Sequence, residues 1–280
     1  MRAVVLDEHG QPALAEVPEP EDDGGLVRVL ACGLCGSDLE KIGTAPAGTV
    51  LGHEVAAEAD GRRVALVHHL PCGECERCRA GHESTCDAFR ESTIVPGGFA
   101  EWAHAAQTLD LPDGIDDATA TYTEPLACVL RAVEHLPGGR LLVVGNGFVG
   151  RLFSTVLDRR GDEVFAVDLD PQRDGRHPDG PVDAAVLTAR GGATEAAEAL
   201  APGGTLLVFA PSAPLGLDTL YRHELTVIGS RSATPSHMSE AATLLPELDL
   251  PEPTVFPLER FQEGLDLYSR GDALKVVFVP

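Results

Sequence analysis

RLLVVGNGFVG, residues 140–150, runs an apolar strand directly into three glycines, Gly145, Gly147 and Gly150. Such a run has physical content only when a helix follows, and residues 148–159 have helical spacing. The first glycine then permits a tight turn and the second lets backbone approach a pyrophosphate. The third lets helix pack closely on strand, so that N–H groups around Phe148 and Val149 face the phosphates. Further out, a second strand at 163–168 ends on Asp168, 23 residues after Gly145. That is close to the separation of a carboxylate that holds adenosine ribose hydroxyls, and its charge opposes a 2′-phosphate. The spacing predicts NAD over NADP, with Asp170 as the competing acid. Strands at 182–187, 205–209 and 225–228 alternate with helical segments, one at 194–200, which predicts an α/β unit of the Rossmann type with a doubly wound parallel sheet. Only eleven residues, polar and rich in glycine and proline, separate the ribose acid's turn from the strand at 182, so five strands are expected.

Upstream, residues 1–110 read as short strands (3–6, 26–30, 64–67) broken by Pro-, Gly- and Asp-rich turns. Within them CGECERCRAGHESTC places Cys72, Cys75, Cys78 and Cys86 at C-x2-C-x2-C-x7-C, a spacing that closes a tetrahedral shell around a structural Zn²⁺. A second constellation is more open: Cys35 in CGLCGSDLE and, eighteen residues on, His53 and Glu54 in GHE. Thiolate, imidazole and carboxylate are ligand types of a catalytic zinc, although this spacing alone does not tie them together.

The chain has 280 residues, 44% of them hydrophobic, which is enough for two domains with sizeable cores. A formal net charge of -23 opposes nucleic acid or an anionic membrane as a partner. Only two lysines, Lys41 and Lys275, accompany many arginines, which reads as genome composition. The N-terminal segment lacks the apolar stretch of a signal peptide, and no apolar run is long enough to span a bilayer. Clustered C-x2-C cysteines in such a chain fit metal binding in a reducing compartment, so a cytoplasmic location is expected.

Together with PGGFAEW at 96–102, TEPLAC at 123–128 and the closing ALKVVFVP, these motifs in this order resemble the zinc-dependent medium-chain dehydrogenases of the alcohol and polyol type. The resemblance covers nearly the whole chain. It implies a mostly β GroES-like catalytic domain at 1–120 with its zinc lobe at 72–86, a reduced NAD-binding domain at 121–233, and a C-terminal return to the catalytic domain at 234–280. It also implies two zinc ions per chain, NAD, a small alcohol or carbonyl substrate, and a homodimer or homotetramer paired through the sheet edge at 225–228.

Residue by residue, Cys35 and His53 match catalytic zinc ligands, and Glu54 the adjacent acid that ligates or sits just outside. Glu124 in the EPL motif matches the remaining ligand of the polyol-type branch; Cys128, one helical turn on, is its rival. Ser37 matches the hydroxyl that takes the substrate proton, and Asp38 the carboxylate that orients the histidine ligand. Glu40 stands where many relatives carry a proton-relaying histidine. His68, four residues before Cys72, matches a substrate-pocket position and suits a hydroxyl-rich substrate. Arg231 is placed to reach the cofactor or Glu54. The implied activity is hydride transfer between NAD and an alcohol, from a polyol, cyclitol or sugar. A biosynthetic carbonyl reductase and a non-catalytic zinc and nucleotide binder are the alternatives. The chain is shorter than the resemblance leads one to expect, with trims between Glu58 and Val64 and between Pro171 and Val182.

Overall fold

The computed structural model describes residues 1–22, 24–88 and 93–280, and the chain divides into two units: Met1–Ala127 with Ala233–Pro280, and Cys128–Ser232. In the first unit, Val27, Val29 and Ala31 of strand Leu26–Gly33 point inward while Arg28 faces solvent, the period of two that a half-buried strand requires. This strand is central to an eight-stranded sheet. One path runs Thr254–Pro257, Val276–Val279, Leu26–Gly33, Glu54–Ala59, Arg62–Leu66, Thr108–Asp110; Trp102–Ala105 branches from Leu26–Gly33 and pairs with Ile94–Val95. All these pairs are antiparallel except the first. The shortened hairpin Glu54–Ala59 to Arg62–Leu66 closes through Asp60 and Gly61, at φ 49° and 74°. Two positive φ values in a two-residue loop match the right-handed strand twist, and Asp-Gly is a pair that reaches them cheaply. Inside, Phe261 and Phe278 stack at 4.4 Å and Phe99 meets Phe278 edge-on at 5.5 Å.

The second unit is a five-stranded parallel sheet in the order Glu163–Val167, Arg140–Val144, Val182–Leu187, Leu200–Val208, Thr226–Gly229. Helices Phe148–Arg160, Ala193–Glu198 and Leu217–His223 connect or flank these strands. The five strands agree with the short segment before Val182. No helix lies between Val167 and Val182; instead the guanidinium groups of Arg140 and Arg176 stand 4.9 and 4.4 Å from the ring of Phe165. These cations give the edge strand a cover that a crossover helix would otherwise provide. Among the described residues, no helix is long and apolar enough to cross a membrane.

Candidate active site

A register shift between Val29 and Ala31 ends the strict alternation of Leu26–Gly33, so residues 31–34 are buried on both faces and lead into Cys35. Cys35 is the N-cap of the short helix Gly36–Lys41. From the helix's first turn Asp38 folds back: Oδ2 accepts the Cys35 N–H at 3.0 Å and Oδ1 accepts the Gly52 N–H at 3.3 Å. One buried carboxylate thus fastens together the segments that carry Cys35 and His53. The Nδ1 of His53 lies 3.5 Å from Asp38 Oδ1, which leaves Nε2 to coordinate. Donor atoms of Cys35, His53 and Glu54 all lie within 4.8 Å of one another, and their chemistry suits zinc.

Burial alone would drive His53 toward its neutral form, but the Asp38 carboxylate outweighs it and raises the pKa well above the ordinary value. Burial also opposes ionisation of Asp38; His53 and the two amides overcome it and hold this carboxyl below its usual range.

The other sequence-derived residues are placed as follows. Ser37 is half-buried in the first turn of Gly36–Lys41, and Glu40 is exposed near its end. The His68 ring lies 4.7 Å from that of His53. Burial, then the charges of His53, His69 and Lys41, push the His68 pKa down to about 2, so the ring is neutral. Its Nδ1 is buried without a hydrogen-bond partner among the described residues. Glu124, buried in the first turn of helix Thr123–Val133, lines a small cavity with His68 and His69 and lies outside the group formed by Cys35, His53 and Glu54. Cys128 is buried and belongs to the second unit.

Sequence reasoning missed Lys275. Its ammonium pairs with Glu54 and donates to the Leu34 carbonyl at 3.0 Å, with all but 2% of the side chain buried. Glu54 is therefore held by a cation 221 residues away. The available signal was lysine scarcity, because one of only two lysines lies here.

In the 72–86 lobe, four sulfur pairs are separated by 3.4, 3.5, 3.8 and 3.9 Å. Four arms of ~2.3 Å in a tetrahedron give edges of ~3.8 Å, so the cage already has zinc dimensions. Backbone amides support it: Cys72, Cys75 and Ala88 each donate to a cysteine sulfur at 3.3 Å. Amides at Cys78 and Asp87 draw the Cys75 thiol down to about 6, while desolvation and neighbouring thiols push Cys78 up to about 12. Four sulfurs this close ionise together only beside a cation.

In the second unit, Gly145 turns at φ 99° and a methyl group on Gly150 would overlap the Gly145 carbonyl oxygen. Gly147 is the N-cap of Phe148–Arg160 and brings no side-chain cap, which leaves its amides available to an anion. Asp168 Oδ2 accepts the Asn146 N–H at 2.7 Å and Oδ1 accepts the Asp170 N–H at 2.9 Å. Asp170 itself is taken by Arg173, at 2.9 Å. A cavity of about 530 Å³ is lined by Gly145, Asp168, Leu169, His177 and Gly192, among others. Leu169, 95% exposed at this cavity, was not singled out from sequence, nor was His177. The turn, the carboxylate and the apolar wall suit a dinucleotide. Arg231 follows Thr226–Gly229, and its carbonyl accepts from Arg131 at 2.8 Å.

Comparison with known proteins gives this geometry a family. The Alcohol dehydrogenase GroES-like domain matches residues 21–113. The chain is 30% identical over 283 residues to D-altritol 5-dehydrogenase of Agrobacterium fabrum, covering 83% of this chain and 84% of that protein. To L-galactonate-5-dehydrogenase of Escherichia coli it is 26% identical over 283 residues, covering 83% of each. The structure of alcohol dehydrogenase TADH from Thermus sp. ATN1 superimposes with a TM-score of 0.84 at 26% identity, over all of both chains. The two sheets are accordingly the GroES-like and Rossmann-type folds, and the chain belongs to the zinc-dependent medium-chain dehydrogenases, oxidoreductases of the alcohol and polyol type.

Proposed function

We propose that the protein oxidises a hydroxyl of a polyol or sugar-derived chain to a carbonyl, with NAD as partner, and runs the reverse reduction. The observation that carries this reading is the convergence of Cys35, His53 and Glu54 beside a buried orienting carboxylate, Asp38. Cys35, His53 and a carboxylate, Glu54 or Glu124, would hold a zinc ion whose chemistry there would be Lewis acidity toward a substrate hydroxyl, and NAD at the glycine turn would supply the hydride acceptor.

The chain's own groups do the rest. Asp38 keeps the His53 Nδ1 engaged, so Nε2 stays directed outward. Ser37 Oγ takes the proton of the substrate hydroxyl, and exposed Glu40 on the same short helix passes it to water. His68, neutral and with its ring 4.7 Å from that of His53, lines a cavity beside the metal-ligand group and suits a hydroxyl-rich substrate. Gly145, Gly147 and Gly150, with the amides at Phe148 and Val149, cradle the pyrophosphate, and Asp168 holds the ribose. Arg231 serves the cofactor side. Relatives named for D-altritol and L-galactonate support a hydroxyl-rich substrate.

The strand Thr226–Gly229 is a sheet edge with Val227 43% exposed, which supports pairing of two copies there as a dimer or tetramer. The charge of -23 supports a protein without nucleic-acid or membrane partners, and the thiol cluster supports a cytoplasmic one.

The test is NADH formation from altritol, sorbitol, galactonate and ethanol by wild type and Cys35→Ala, alongside zinc analysis. Turnover of a hydroxyl-rich compound with two zincs, and loss of both turnover and one zinc in the variant, is expected. One zinc in wild type with no turnover would favour the non-catalytic alternative.

A further inference from the structure

The eleven residues 171–181, which stand in for a longer crossover, supply part of the wall of the nucleotide cavity through His177 and Pro178. Several bonds fasten this segment to the site. Asn146 Nδ2, in the glycine turn, donates to the Arg173 carbonyl at 2.6 Å, and the Ala166 N–H donates to the Arg176 carbonyl at 3.0 Å. Asp174 reaches both ways: the N–H of the ribose acid, Asp168, donates to its Oδ1 at 3.2 Å, and its Oδ2 lies 2.8 Å from His177 Nε2. One carboxylate therefore ties the His177 ring to the backbone of the residue that holds the ribose.

The same contact decides where His177 carries its proton. His177 and the Asp168 amide hold the Asp174 carboxyl below its usual range, so the group is ionised and can only accept. Nε2 must then donate, and in the neutral ring Nδ1 is left as an acceptor. No other hydrogen bond engages the His177 ring among the described residues, and the side chain is mostly exposed. The remaining polar side chains of the cavity lining are Asp168 and Glu195, both carboxylates. Among these side chains every hydrogen-bonding group accepts and none donates.

With the pyrophosphate at Gly147 and the ribose on Asp168, the base lies beyond the ribose, at the end of the cavity where Leu169 and His177 stand. Acceptors there match a base that carries an amine and oppose one that carries a carbonyl. We infer, resting on the reading of this cavity as the dinucleotide site, that His177 Nδ1 accepts a hydrogen bond from the exocyclic amine of the adenine. His177 is then a specificity-determining residue for the base, and Asp174 is the positioning residue that fixes its tautomer. Hypoxanthine in the same place turns an oxygen toward Nδ1, and the attraction becomes repulsion.

The zinc-loaded enzyme is titrated by fluorescence, in mildly alkaline buffer, with NADH and with reduced nicotinamide hypoxanthine dinucleotide. Wild type should bind NADH about tenfold more tightly than the hypoxanthine analogue. His177→Phe keeps an aromatic plane and removes the acceptor, so it should bring the two within about twofold, chiefly by weakening NADH. Asp174→Asn has an amide that can donate to Nε2 and send the ring proton to Nδ1, so it too should narrow the gap. Both compounds meet the same protein sample; partial unfolding lowers the number of sites and leaves the ratio of dissociation constants unchanged. Equal binding by wild type, or a gap that His177→Phe leaves open, overturns the inference while the dinucleotide site stands. If neither compound binds wild type, the dinucleotide reading falls and the inference falls with it.

Discussion

Asp38, Glu54 and Lys275 are charged groups with 1%, 1% and 2% of their surface exposed, and each is tolerated because a specific partner stands beside it. Lys275→Met should therefore destabilise the protein by about 3–5 kcal/mol, since it strands the Glu54 charge, and adding Glu54→Leu should recover much of that loss. Urea denaturation of the two variants is the measurement. Burial opposes the charge on Lys275, but Glu54 and the other groups around it outweigh burial and raise the pKa, so its contribution is present below the unfolded value and fades only as pH rises beyond it, into strongly alkaline solution. Asp38→Asn tests a different property. Zinc affinity at Cys35 and His53 should fall about 10–100-fold with the cysteine lobe unaffected, so a chelator titration should split into two well-separated steps. In the metal-free protein the same pair has a pH signature. Raised His53 contributes fully below its unfolded pKa and loses this as pH climbs through the folded one; depressed Asp38 contributes above its unfolded pKa and loses this as pH falls through the folded one. The melting-temperature gap between metal-free wild type and Asp38→Asn should accordingly be widest in mildly acidic solution.

The elements differ in what holds them. In the 72–86 lobe the helical turns are Glu76–Arg79 and Glu83–Thr85, four and three residues long, too short to persist unaided. Cys75→Ser, or zinc removal, should expose the bonds after Arg77 and Arg79 to trypsin, with cleavage within the lobe followed by mass spectrometry. At the nucleotide turn, Gly150→Ala should weaken NADH binding about tenfold or more in fluorescence titration, because the added methyl forces Phe148–Arg160 away from Arg140–Val144.

What could be read in advance follows the same division. The parallel strands and the metal cysteines were legible because apolar runs and ligand types are local signals. Gly36–Lys41 was not, since a cysteine N-cap announces a helix poorly, and Thr254–Pro257 was hidden by its proline, tolerated at a sheet edge. Pro202-Gly203-Gly204 reads as a turn, yet it lies within strand Leu200–Val208, where Val182 faces Leu200 and Ala184 faces Thr205. Lysine scarcity sets Lys275 apart, but nothing within its own segment refers to Glu54.

On the scale of the molecule, a charge of -23 on 280 residues sets up self-repulsion that compactness worsens. Melting temperature should rise as sodium chloride is brought toward ~1 M, where screening acts over ~3 Å; a flat or falling response would mean the carboxylates are already neutralised locally. The interruption of the first unit by residues 128–232 has a consequence for biosynthesis. The inserted unit is contiguous in sequence and can complete its sheet while the ribosome is still translating. Its host cannot, because Val276–Val279 sits between Thr254–Pro257 and Leu26–Gly33. Until those residues emerge, the nascent chain carries Glu54 without its ammonium and a sheet with an open seam. This makes the first half of the protein, although made earliest, the half whose sheet is completed last.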